Sequence, residues 1–133
     1  MICSTELQHE LAYSLGVRTV SVPRHTWVHH LYTCRYVYRT GVMVLSVQEL
    51  SSRSATTAYF DKLGHQLGDT GTMNGLGQGA FSTTAGSVVV RKDYRVLLVD
   101  VSGLPKKFGK PLAARSSIAI TVTDSILACW RGD

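Results

Sequence analysis

At 133 residues, with 44% hydrophobic and 17% charged side chains, the chain has apolar material for one folded domain and too little charge to be read as disordered. The formal net charge of +5 permits weak attraction to nucleic acid, anionic lipid or acidic polymers, but the basic residues are scattered rather than massed. No run approaches the roughly eighteen apolar residues of a membrane span. Met1-Ile2 leads directly into Cys3 without the basic start and apolar run of a signal peptide, so either the chain works in the cytosol or the export signal precedes it.

In chain order, "STELQHELAYSLG" reads as a helix. Ser4 or Thr5 caps it, Leu7, Leu11 and Leu15 share one stripe, and Gly16 stops it. "VRTVSV" is a short β-prone run closed by Pro23. "HTWVHHLYTCRYVYR" alternates as one long strand, with Tyr32, Cys34, Tyr36 and Tyr38 on one face and Trp27 on the opposite parity. Thr40-Gly41 turns it into "VMVLSVQEL" as a hairpin partner.

"SSRSATTAYFDKLGHQLG" is a second helix capped by Ser51 or Ser52. Its apolar stripe is Ala55, Tyr59, Phe60, Leu63 and Leu67, Gly68 ends it, and Gly64 weakens it internally by roughly 1 kcal/mol. A glycine-rich connection of marginal structure covers 69–87. "SVVVR", the turn "KDY" and "RVLLVDV" form a second hairpin. Pro111 suits the N-terminus of a third helix, "LAARSSIAITVTDSILACW", whose stripe is Leu112, Ala119, Val122, Ile126 and Trp130. The expectation is one α+β domain over 1–133, in the order α-β-β-α-β-β-α. Its antiparallel sheet of two hairpins carries three packed helices, since no βαβ alternation builds a parallel sheet.

The elements also carry a resemblance. A cysteine before the first helix, a "C-x-Y" strand and an "L-S-V" return strand are followed by "TAYFDKL", "GLGQGAF", "VVVRKDYRVLLVDVSGL" and a closing "ACW-x-G". This spread, from Cys3 to Gly132, resembles the small exported domains of unknown function found in actinobacteria, often on lipoproteins. The resemblance implies an extracytoplasmic α+β module without established chemistry. No lipobox precedes Cys3, so lipidation is not read there.

Cys3, Cys34 and Cys129 allow one disulfide and one leftover thiol. In a reducing cytosol all three would be thiols; outside it, a bridge is the expected use. Cys34–Cys129 is the first choice. It would tie the last helix to the sheet and close a loop of about 95 residues, contributing roughly 3–5 kcal/mol in the chain-entropy model. Cys3–Cys34 is the rival. Cys34 lies in a tyrosine-rich strand interior with no histidine beside it, and Arg35, its neighbour along the strand, falls on the opposite face, so it is not read as a nucleophile.

Other constellations have plain structural readings. His25 and His29 lie roughly 13 Å apart on an extended strand, and His29 and His30 point to opposite faces, so no metal site is assigned there or at His9 and His65. "GLGQGAF" lacks the preceding strand and following helix of a dinucleotide loop, and turns account for its glycines. Asp61, Asp93, Asp100 and Asp124 fall on separate elements, no "GxSxG" elbow is present, "KKFGK" reads as a solvated loop, and the terminal "RGD" has no loop to present it. No catalytic residue, metal or cofactor is assigned. The expected function is a non-catalytic extracytoplasmic module, secreted or lipoprotein-derived. It would bind a small apolar ligand, an envelope component or a protein through Trp27, Tyr32, Tyr36 and Tyr38. The alternative is a cytosolic basic nucleic-acid-binding protein.

Overall fold

The computed structural model describes residues 1–130; the closing RGD tripeptide, Arg131 to Asp133, lies outside the described residues, as does the glycine of "ACW-x-G". α1 (Thr5–Leu15) forms as its sequence dictates. The Ser4 hydroxyl accepts the Leu7 N–H at 3.2 Å, and Leu7, Leu11 and Leu15 are buried. Gly16, at φ +70°, takes the left-handed conformation that ends the helix.

Three strands follow as a meander: β1 (Arg24–Val28), β2 (Leu31–Tyr38) and β3 (Gly41–Glu49). The expected long strand over 25–39 is thus two strands. The chain reverses at His29 and His30, both at positive φ (50° and 63°), the signature of a two-residue type I′ turn. Histidine tolerates that region better than most residues, yet it gives no turn signal of the Asn-Gly kind. The β-prone run over 17–22 does not form a strand. That segment runs as irregular backbone, tied to β2 by the Val20 N–H donating to the Val37 carbonyl at 2.9 Å.

α2 (Arg53–Leu67) is capped by Ser52, whose hydroxyl accepts the Ala55 N–H at 3.1 Å, and it ends at Gly68. The glycine-rich connection then supplies two strands, β4 (Asp69–Thr72) and β5 (Gly79–Thr83). β6 (Val88–Lys92) and β7 (Arg95–Asp100) turn through Asp93 and Tyr94, again at positive φ. A ribbon of β8 (Lys107–Phe108) and β9 (Ala113–Ala114) precedes α3 (Arg115–Trp130). The third helix therefore starts later than Pro111 suggests. Leu112, expected on its stripe, is 72% exposed, whereas Ala119, Val122, Ile126 and Trp130 are fully buried.

The fold is α+β, but the expected sheet of two hairpins is corrected to a seven-stranded antiparallel sheet in the order β1-β2-β3-β7-β6-β5-β4. Two meanders meet at the β3–β7 seam, where Val44 to Glu49 pair with Asp100 to Arg95. Side chains alternate across it. Cys34, Tyr36, Met43, Leu45, Val90, Leu97 and Val99 face α1 and α3, while Phe81, Val89 and Val96 pack with Leu63, Phe60 and Leu67 of α2. α2 lies on β5, β6 and β7. On the remainder of its face, Leu31, Thr33, Val37, Val42 and Val44 of the first meander stay half-buried.

Candidate partner-contact site

The cysteine before α1 and the cysteine in β2 form a disulfide: Cys3 and Cys34 are bonded, with Cα atoms 5.5 Å apart and a sequence separation of 31. The first-choice pairing of Cys34 with Cys129 is thereby corrected in favour of its rival. Cys34 points into the face that the start of α1 covers, whereas Cys129 is an exposed free thiol on α3. One residue later in the helix, Trp130 is buried, so the 100° step between neighbours turns Cys129 away from the core. The junction is stitched a second time by the Tyr36 hydroxyl, which donates to the Ile2 carbonyl at 2.8 Å.

The four aromatic residues expected to form one ligand face divide into two pairs. Tyr36 and Tyr38 are buried, at 1% and 5% exposure. Tyr38 meets the Phe108 ring edge-on with centroids 4.9 Å apart. Burial pushes the Tyr38 hydroxyl up to about 12, and burial followed by the neighbouring Tyr38 and Tyr32 raises that of Tyr36 further. Both rings are core residues that also floor a groove of about 490 Å³, walled by His9, Ala12 and Tyr13 of α1 and by Arg18 and Thr19.

Trp27 stays exposed and Tyr32 half-buried, and the hairpin brings them together. Trp27 pairs across the ladder with Tyr32, and His25 with Cys34, so Trp27 shares the face of Tyr32 despite its opposite parity along the chain. The rings form a cluster. His25 stacks on Tyr32 at 5.7 Å, Trp27 lies 6.1 Å from Tyr32, and Trp27 meets His30 edge-on at 5.7 Å. Trp27 is 52% exposed and Val28 57%.

The turn beneath this cluster is anchored to β3. The Glu49 N–H donates to the His30 carbonyl at 2.9 Å and the Gln48 side-chain amide to the His29 carbonyl at 3.1 Å. Glu49 lies 3.9 Å from His30 Nδ1 and 3.7 Å from Arg95, exposed pairs that orient more than they stabilise. β1 is also an edge of the sheet, so alternate N–H and C=O groups along it face outward without a ladder partner. Aromatic surface and open backbone thus coincide on one short strand. Reading the histidines as plain strand residues without a metal misses their part in this cluster; a two-residue turn at His29-His30 is the signal that reveals it.

The remaining sequence candidates do not converge. Asp100 accepts hydrogen bonds from Ser87 and Ser102, Asp93 is held by Gln78 and Lys92, and Asp61 and Asp124 are exposed on different helices. Among the described residues, no group of three or more His, Cys, Asp or Glu side chains gathers as a metal site. Gly75 and Gly77, at φ 81° and 55°, serve the turn into β5, and a Cβ on Gly77 would strike Val90 and the Arg91 carbonyl. In "KKFGK", Phe108 is core while Lys106, Lys107 and Lys110 are exposed. No described helix is long and apolar enough to cross a membrane. No protein-family model, curated protein or solved structure matches the chain.

Proposed function

We propose that the chain is a non-catalytic extracytoplasmic module that holds a protein partner of the cell envelope through the β1–β2 hairpin. The cluster of exposed Trp27, His25 and His30 around half-buried Tyr32, beside a strand edge that has no neighbour, carries this reading. Tryptophan and tyrosine supply large contact area at low entropic cost, and they dominate binding energy where they occur. An open edge adds backbone hydrogen bonds to an incoming strand. The Cys3–Cys34 bond supports an oxidising compartment, as does the resemblance to exported actinobacterial domains, and both weigh against the cytosolic nucleic-acid alternative.

The test is a photo-reactive side chain at position 27 in the exported protein. A discrete cross-linked envelope protein is expected from position 27 and not from position 13 on α1, where Tyr13 is 90% exposed. Trp27→Ala should weaken that complex by about tenfold or more. Equal labelling from both positions, or none from 27, sinks the reading. A second reading, a small apolar ligand, is favoured by the groove over Tyr36 and Tyr38. Saturable quenching of tyrosine emission by such a ligand, unchanged in Trp27→Ala, would support it instead.

A further inference from the structure

On the face of the sheet that carries α2, a second cleft of about 600 Å³ opens between the start of that helix and the β6–β7 turn. Two arginines line it, Arg53 from the first turn of α2 and Arg91 from β6, and neither is paired with a carboxylate among the described residues. The carboxylate that also borders the cleft, Asp93, is engaged elsewhere: Lys92 lies 3.8 Å from it and the Gln78 side-chain amide donates to it at 3.3 Å.

Arg91 is half-buried and poorly satisfied. One terminal nitrogen donates to the Thr57 hydroxyl at 3.0 Å, and the guanidinium carbon sits 5.9 Å from the centre of the Phe60 ring. Its Nε is buried with no hydrogen-bond partner. A guanidinium carries five donors in a rigid fork, and leaving them unmade in a partly dry site is unfavourable. Arg53 compounds the imbalance. It places a cation in the first turn of a fifteen-residue helix that has no acidic residue there, the end where the backbone already favours negative charge. The buried Nε is out of reach of the cleft, but an oxyanion entering it would meet the two guanidinium charges that no carboxylate balances.

We propose that this cleft binds a phosphomonoester group. Two guanidinium charges match a dianion, the terminal nitrogens of Arg91 supply N–H donors for phosphoryl oxygens, and the exposed ring of Tyr94 stands at the rim for the body of the molecule. The site is independent of the aromatic hairpin, which lies on the opposite face of the sheet.

The test is a titration of the ¹⁵N-labelled, disulfide-bonded chain with phenyl phosphate, followed by amide and arginine Nε–H signals. Saturable shifts are expected at Arg91, Thr57 and Gln78. Arg91→Gln and Arg53→Gln should each weaken binding by about tenfold. Arg53 is exposed, so its variant keeps the test valid if Arg91→Gln fails to fold. Arg24→Gln removes the same net charge from the far edge and should change affinity by less than about twofold. A parallel arm uses phosphatidylcholine vesicles carrying phosphatidic acid. Loss of vesicle binding in both cleft variants, without phenyl phosphate binding, assigns the phosphomonoester to a lipid headgroup. The proposal is overturned by the absence of binding in both arms, by an Arg53→Gln variant that binds normally, or by Arg24→Gln weakening binding equally.

Discussion

In β6 and β7, side chains on both faces are covered: Val88 and Val90 face α1 and α3, Val89 and Val96 face α2, and all four are at 2% exposure or less. In β1 every residue is exposed, and β2 and β3 bury one face only, in the core shared with side chains of α1 and α3. The same antiparallel ladder therefore runs through two environments. The covered half is stabilised by apolar burial, roughly 1.5–3 kcal/mol for each fully buried aliphatic side chain. The open half depends on the ladder, one buried face and a covalent tie to α1. On the proposed function, that difference is a division of labour: a half buried on both faces that holds the molecule, and an open half with apolar groups left over for a partner.

The comparison can be broken at its tie. Removing the Cys3–Cys34 bond, whose cysteines are 31 residues apart, should cost about 3–4 kcal/mol in the chain-entropy model. Urea unfolding of Cys3→Ser against the oxidised protein measures it. If β1 and β2 depend on the tie as argued, hydrogen exchange should accelerate there before it does in β6 and β7. Next in size is a cavity in the covered half. Leu97→Ala, at a fully buried site, should cost about 3 kcal/mol, read as a drop in the urea midpoint with a native-like m-value.

Two glycines sharpen the comparison at the covering helices. Gly16 ends α1 at positive φ, and a Cβ there would strike the Lys110 carbonyl, so Gly16→Ala should lower stability by about 2 kcal/mol in thermal or urea unfolding. Gly64 lies inside α2 at ordinary helical geometry. A Cβ there would sit 3.7 Å from the Phe81 ring and the Asp69 Cβ, an ordinary contact. Gly64→Ala should raise stability by about 0.5–1 kcal/mol, with a correspondingly higher midpoint. A loss at Gly64 would mean that α2 is packed more tightly on β5 than these distances allow.

The elements legible in the sequence are those set by neighbours along the chain. α1 and α2 are announced by Ser4 and Ser52 at one end, Gly16 and Gly68 at the other, and leucines at helical spacing between, because capping and amphipathic periodicity act within a few residues. The β6–β7 hairpin is legible for the same reason. The break at His29-His30 was hidden because alternation runs unbroken through it and neither residue is glycine or asparagine. β4 and β5 were hidden because glycine-rich strands carry little propensity of their own; β5 forms by pairing with β6, and β4 by pairing with β5.

What the amino-acid sequence determined alone was therefore the class of fold, the two capped helices, the buried stripe of the third from Ala119 to Trp130 and the pool of three cysteines from which one bond could be drawn. Which cysteines meet, which face Trp27 joins, and which arginines are left without a carboxylate were decided only in three dimensions. Those outcomes depend on strand order and register between residues distant in sequence, such as Cys3 with Cys34 and Thr57 with Arg91, and no local pattern carries that information.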